Sequence, residues 1–227
     1  MAEVPGWKPR PRPGHVALPG ERITLEPLDP MRHGDDLYAA GHGEPADPRL
    51  WTYLPYGPFA PDDFFTWLDV CAANDDPLFY ALVPYATARA TGMATHMRIV
   101  PDHGVIEIGH IWLGPELQRT PAATEAIFLL ARHAFDDLGY RRLEWKCNAV
   151  NERSMRAAAR FGFTYEGTFR QHLVIKGQNR DTAWWSILDS EWAAIRAGFE
   201  AWLAPENFDA EGRQRATLEA LREAASA

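Results

Sequence analysis

Apolar and polar positions alternate with period two over residues 22–27 (Arg22-Ile23-Thr24-Leu25-Glu26-Pro27), which predicts a strand with one buried face. A polar helix is expected over 30–40 and a loop over 41–48. Phe64, Trp67, Leu68 and Cys71 recur at helical spacing and predict a helix over 62–73. Runs at 78–83, 88–100 and 104–113 are apolar or alternating, and Pro101-Asp102-His103-Gly104 supplies turn chemistry between the last two. These three runs predict an antiparallel meander. The period then changes: Ile127, Leu130, Ala131, Ala134 and Leu138 fit a helix that Gly139 stops. A short strand over 142–147 leads to a helix capped by Asn151 and ended by Gly162. Strands at 163–169 and 182–188 follow, then helices over 190–203 and 208–225, the second polar and peripheral. The order predicts a mixed α/β (α+β) fold with an antiparallel first half and a strand–helix–strand second half.

Proline alternates with basic residues in Trp7-Lys8-Pro9-Arg10-Pro11-Arg12-Pro13. Proline removes backbone donors and disfavours helix, so residues 1–19 are expected to form an extended arm anchored by Trp7. A main α/β domain over 20–190 and a helical extension over 191–227 complete the division. At 46% hydrophobic residues the 227-residue chain can bury a sizeable core, while a mean hydropathy of −0.33 gives no apolar run long enough to span a membrane. The N-terminus lacks the apolar stretch of a secretory signal, so no membrane association and a cytoplasmic location are expected. A net charge of −8 disfavours nucleic acid as a partner, because phosphate binding needs clustered Lys and Arg. Cys71 and Cys147 lack metal-ligand spacing and read as free thiols; no metal site is expected.

The segment 104–126 carries the most chemistry. A strand ends at Leu113-Gly114-Pro115, and a short loop enters a helix. Helix N-termini leave N–H groups unpaired and carry positive partial charge, so such a junction can hold a diphosphate. The donors here would be the amides of Arg119, Thr120, Ala122, Ala123 and Thr124, with the Arg119 charge and the two threonine hydroxyls. Thr-Pro is also an ordinary helix start.

Residues 107–126 resemble the acetyl-CoA signature of the GNAT superfamily of N-acetyltransferases, nearest to the branch of ribosomal-protein N-terminal acetyltransferases. That family's loop reads Gln/Arg-x-x-Gly-x-Gly/Ala. Gln118 matches the first position and Ala123 the last, whereas Pro121 replaces the first glycine and removes a donor. A second match, Asn148 to Phe163, is similar to the family's Asn-x-x-Ser helix closing in Gly-Phe; a third covers Gly20 to Pro27 with Asp29 and His33. The resemblance implies a GNAT fold: a central, mostly antiparallel sheet of six to seven strands, splayed in the middle and flanked by helices.

The resemblance also implies chemistry. Acetyl-CoA would be the acyl donor, with a small-molecule amine or a protein N-terminus as acceptor and a homodimer through the late strands. Backbone groups of Ile111, Trp112 and Leu113 would face the thioester, and Gln118 and Asn151 the rest of the coenzyme. Glu107 is the first candidate base and His110 the second; Ser154 would protonate the leaving thiolate, since Ala158 stands where many relatives carry a tyrosine. Trp51, Tyr53 and Tyr56 would wall the acceptor site. Another acyl-CoA such as succinyl-CoA, or a non-catalytic acyl-CoA-binding module, are the alternative readings.

Overall fold

A computed structural model describes residues 3–226, so Met1 and Ala2 of the arm and Ala227 of the extension lie outside it. Eight strands form one sheet: β1 Leu18–Pro19, β2 Ile23–Pro27, β3 Leu78–Pro84, β4 Gly92–Val100, β5 Val105–Leu113, β6 Arg142–Asn148, β7 Thr164–Ile175 and β8 Gln178–Leu188. Their order is β1-β2-β3-β4-β5-β6-β8-β7. Every neighbouring pair is antiparallel except β5 and β6. The strand beyond the expected six to seven is the two-residue β1, too short to leave a period in the sequence.

Six α-helices flank the sheet: α1 Pro30–His42, α2 Pro61–Ala72, α3 Pro121–Arg132, α4 Glu152–Phe161, α5 Asp189–Leu203 and α6 Leu218–Ser226. Their starts follow local chemistry. Asp29, Thr120 and Asn151 each accept a backbone N–H of the first turn through their side chains, and Gly162 ends α4 in the left-handed conformation (φ 96°) that a Cβ disfavours.

The helix expected over 208–225 is reduced to α6. Asp209 accepts the amides of Glu211 and Arg213 through its carboxylate, Gly212 takes φ 75°, and Phe208 pairs with Gln214. These side-chain bonds offer the backbone an alternative to helix. Nor is α6 merely peripheral: Leu218 is fully buried, and α6 packs on α5 at Gly198, where a Cβ would lie 2.8 Å from the Arg222 Cα. The arm crosses the sheet's far end, with the Trp7 indole donating to the Asp102 carbonyl and the Arg10 amide to Pro101.

Two apolar clusters lie on opposite faces of the sheet. One joins Ile106, Ile108, Leu143 and Trp145 to α3, α4 and α5; the other joins Trp112 to Trp51, Phe64 and Leu68 beneath α1 and α2. Strict alternation would put Trp112 on the side of Ile106 and Ile108. A bulge at His110 (φ 49°) inserts one residue, so that Thr95–Met93 oppose Gly109–Trp112. The faces exchange beyond it, and Ile111 and Leu113 take the side of the first cluster.

His96 is fully buried in the first face, its Nε2 donating to the Leu130 carbonyl, and burial pulls its pKa down to about 3. The unfolded chain takes up this proton near pH 6.5 and the folded chain does not, so stability falls as pH drops through the window from 6.5 toward 3. The slope from this one group approaches roughly 1 kcal/mol per pH unit. His96→Gln keeps a donor for Leu130 and is expected to flatten the decline of Tm between pH 6.5 and 4.5. An unchanged slope would remove His96 as its cause.

Candidate functional site

The site begins where the sheet divides. The β5–β6 pairing ends at Ile108–Trp145, yet β5 runs on to Leu113 and β6 to Asn148. Each stays with its outer neighbour, β5 with β4 as far as Leu113–Gly92 and β6 with β8 as far as Asn148–Thr182. From Gly109 onward the inner edge of β5 therefore has no strand partner among the described residues. The bulge at His110 turns β5 away and aims Ile111 and Leu113 into the gap.

This gap opens into a cleft of about 970 Å³. Ile111, Trp112, Leu113, Gln118, Arg119, Thr120, Ala123, Thr124, Asn151, Ser154 and Tyr53 line it. Its floor contains the first turns of α3 and α4. The Gln118 side-chain amide donates to the Leu113 carbonyl at 2.8 Å and fixes the loop to the end of β5. Thr120 caps α3: its hydroxyl donates to the Leu117 carbonyl and accepts the Ala123 amide at 3.2 Å, while its carbonyl accepts the Thr124 amide.

Two of the five expected amide donors, those of Ala123 and Thr124, are thus already paired. The amides of Arg119, Thr120 and Ala122 have no partner among the described residues. Ala122 itself is not among the cleft's lining residues. Pro121 occupies the first helical position, where an N–H would be unpaired anyway. Arg119 stands in left-handed backbone (φ 61°) between the cap and Gln118.

On the opposite wall, Asn151 caps α4 by accepting the Ser154 amide at 3.2 Å. The Ser154 hydroxyl accepts the Trp145 indole N–H at 3.0 Å, which leaves its own proton to donate. Arg153, Arg156 and Arg160 follow along the same helix, so a protein with net charge −8 presents a cationic cleft. Tyr53 reaches over the mouth, its hydroxyl 3.4 Å from the Val150 carbonyl.

Glu107 and His110 lie outside the lining of this cleft, on the other face of the division. Glu107 is buried; its Oε2 accepts Lys146 Nζ at 2.8 Å and lies 3.3 Å from Arg98 Nε. Its Oε1 accepts no hydrogen bond among the described residues and faces Gly109, the first residue past the split. Burial outweighs Lys146 and Arg98 and raises the Glu107 pKa. His110 stacks on Tyr56 (centroids 5.4 Å), with Nδ1 3.0 Å from the tyrosine hydroxyl. Burial, with help from Arg180 and Arg98, pulls its pKa down to about 4, so it stays neutral near pH 7.

A model of the "Acetyltransferase (GNAT) domain" matches residues 22–164. The chain belongs to the GNAT acetyltransferase family. A GCN5-related N-acetyltransferase from Brucella melitensis is 50% identical and superposes with a TM-score of 0.94, covering 97% of this chain and 100% of that one. A Bacillus subtilis (strain 168) protein named "Putative ribosomal N-acetyltransferase YdaF" is 33% identical over 86 residues, 38% of this chain and 46% of that protein. The chain thus matches less than half the length of this curated relative. The Microcin C7 self immunity acetyltransferase MccE, solved with acetyl-CoA and AMP, shares the fold at 21% identity (TM-score 0.63; 74% of this chain, 93% of that one).

Within this acetyltransferase the expected acceptor aromatics part ways. Tyr53 reaches the cleft, whereas Trp51 is buried at 1% exposure with its indole donating to the Gly41 carbonyl, and Tyr56 packs between Trp67 and His110. The structure adds cleft residues to which the sequence assigned no role: Trp145, Arg160 and Phe161 and, from the extension, Trp202, Phe208 and Gln214. A helical reading at 3.6 residues per turn could have put Arg153, Arg156 and Arg160 along Asn151's helix; nothing in the sequence ties 202–214 to it. Lys146, partner of Glu107, was legible as the residue two beyond Glu144 on one strand face. No helix among the described residues is long and apolar enough to cross a membrane, and no cluster of His, Cys, Asp or Glu there is placed to hold a metal ion.

Proposed function

We propose that the enzyme transfers the acetyl group of acetyl-CoA to a primary amine, on a small molecule or a protein N-terminus, by direct attack. The observation that carries this reading is the divided sheet: an unpaired strand edge leads without interruption to a helix N-terminus with free amides. The cleft suits an elongated thioester bearing a diphosphate. Leu113 and Ile111 would flank its pantetheine arm, Asn151 would bind that arm, and the amides of Arg119 and Thr120 would meet the diphosphate beside the positive end of α3.

The residues then divide the work. Backbone donors on the free edge of Gly109–Leu113 hold the carbonyl oxygen, fixed in place before charge develops. Glu107 takes the amine's proton through Oε1, directly or by one water. Ser154 passes its hydroxyl proton to the departing sulfur and takes one back from water in the open cleft. His110, neutral and stacked, shapes the acceptor side instead of serving as the base. The relative named for ribosomal N-acetylation supports a protein N-terminus among the acceptors.

A thiol-release assay tests the proposal, with acetyl-CoA and succinyl-CoA run across N-terminal peptides, polyamines, amino acids and aminoglycosides. Release of CoA with at least one amine, and at least tenfold faster from acetyl-CoA, is the expected outcome. No release from any pair, together with no binding heat for acetyl-CoA, would overturn it.

A further inference from the structure

The cleft does not end with the domain that defines the family. The matched region stops at residue 164, but Trp202, Phe208, Gly212 and Gln214 line the far end of the same cavity. We infer that this C-terminal segment, with Arg160, forms a subsite for the nucleotide end of the acyl donor, a purine base carrying a ribose phosphate. The inference rests on the acyl-CoA reading above and names the part of the chain that holds the end remote from the reaction.

Three features argue for that occupant. The first is a cation without a salt-bridge partner. Arg160 is half-buried in the cleft wall, its Nη1 donating to Thr124 and its guanidinium lying 4.8 Å over Trp202. No carboxylate stands within salt-bridge distance of it among the described residues. Glu219 acts on it only at longer range, and a phosphate matches the donors of its fork that Thr124 does not take. The second is an aromatic platform. Phe208 packs edge-on against Trp202 (5.3 Å, 80°) and is itself partly exposed to the cleft, where a base can stack on it. The third is a hydrogen-bond donor. Gln214 Oε1 accepts the Trp202 indole N–H at 2.8 Å, which fixes the amide and leaves its NH2 free for a ring nitrogen.

The fold of the segment serves this arrangement. Asn207 bonds the carbonyls of Trp202 and Ala216 and accepts the Ala216 amide, closing 207–216 into a compact loop. Asp209 orders the turn that returns Gln214 to Phe208. The loop is therefore preformed, and little ordering entropy opposes binding.

The test compares donors that contain or lack the nucleotide. In the full-length enzyme, adenosine 3′,5′-bisphosphate alone should compete with acetyl-CoA, with Kd on the order of 10⁻⁴ M by calorimetry. Phe208→Ala/Gln214→Ala should weaken acetyl-CoA binding at least tenfold and leave kcat/KM for S-acetylpantetheine within twofold. Arg160→Gln should weaken the bisphosphate and act little on S-acetylpantetheine. Equal losses for both donors, or none for either, would overturn the subsite while leaving the acetyltransferase reading intact. Absence of binding by either donor to the wild-type enzyme would remove both.

Discussion

Replacing Glu107 by Gln should lower kcat by about 10²–10⁴-fold while leaving acetyl-CoA affinity within about twofold. The amide keeps the volume of the carboxylate between Lys146 and Gly109 but cannot accept a proton as a base. Coenzyme affinity is spared because Glu107 lies outside the cleft lining. The pH profile separates this role from a structural one. Burial raises the Glu107 pKa, and the base must be ionised to act, so activity should fall on the acid side at a pH above the ordinary carboxylate range. Lys146 opposes burial by stabilising the ionised form, its Nζ 2.8 Å from Oε2. Lys146→Met should therefore move the acid limb of kcat/KM to still higher pH. A Glu107→Gln enzyme with normal kcat, or a Lys146→Met enzyme with an unmoved limb, would assign the proton to another group.

The sequence exposed some of this arrangement and hid the rest for physical reasons. Asn151 and Gly162 were legible because caps are local: each satisfies or ends a helix within a few residues of itself. The strands were legible by period, and β5 by its apolar run. Hidden was what period cannot carry. The His110 bulge reverses which side of the sheet Ile111 and Trp112 face, and no residue type announces a positive φ at histidine. That reversal sends Ile111 into the cleft and Trp112 into the opposite cluster. The fate of the α3 amides was hidden by a side-chain choice, since Thr120 spends its hydroxyl on Ala123. The distal cleft was hidden by separation in the chain: Phe208 and Gln214 reach Arg160 through the packing of α5 and α6, which no motif near residue 160 reports.

Trp51→Ala should destabilise the protein by about 3–5 kcal/mol, the largest stability loss expected of a residue first read as a pocket wall. Trp51 is 1% exposed. It packs against His42 at 4.9 Å, Trp112 at 5.4 Å, Phe59 at 5.8 Å and Tyr56 at 6.2 Å. Its removal leaves a void at the centre of the second cluster and strips the Gly41 carbonyl of its donor. Trp51→Phe refills part of the void and loses the hydrogen bond, so it should cost about 1–3 kcal/mol. The main chain around Trp51 adds a functional readout. Lys176, at the tip of the β7–β8 hairpin, donates to the carbonyls of Trp51 at 2.8 Å and Gly57 at 2.6 Å, tying the hairpin to this loop. A loop that loses its anchor should raise KM for acetyl-CoA as well as for the amine, because Thr52 and Tyr53 of this loop line the cleft. Urea unfolding measures the first effect and steady-state kinetics the second. A Trp51→Ala enzyme within 1 kcal/mol of wild type would mean the indole faces the site, as the sequence alone suggested, and not the core.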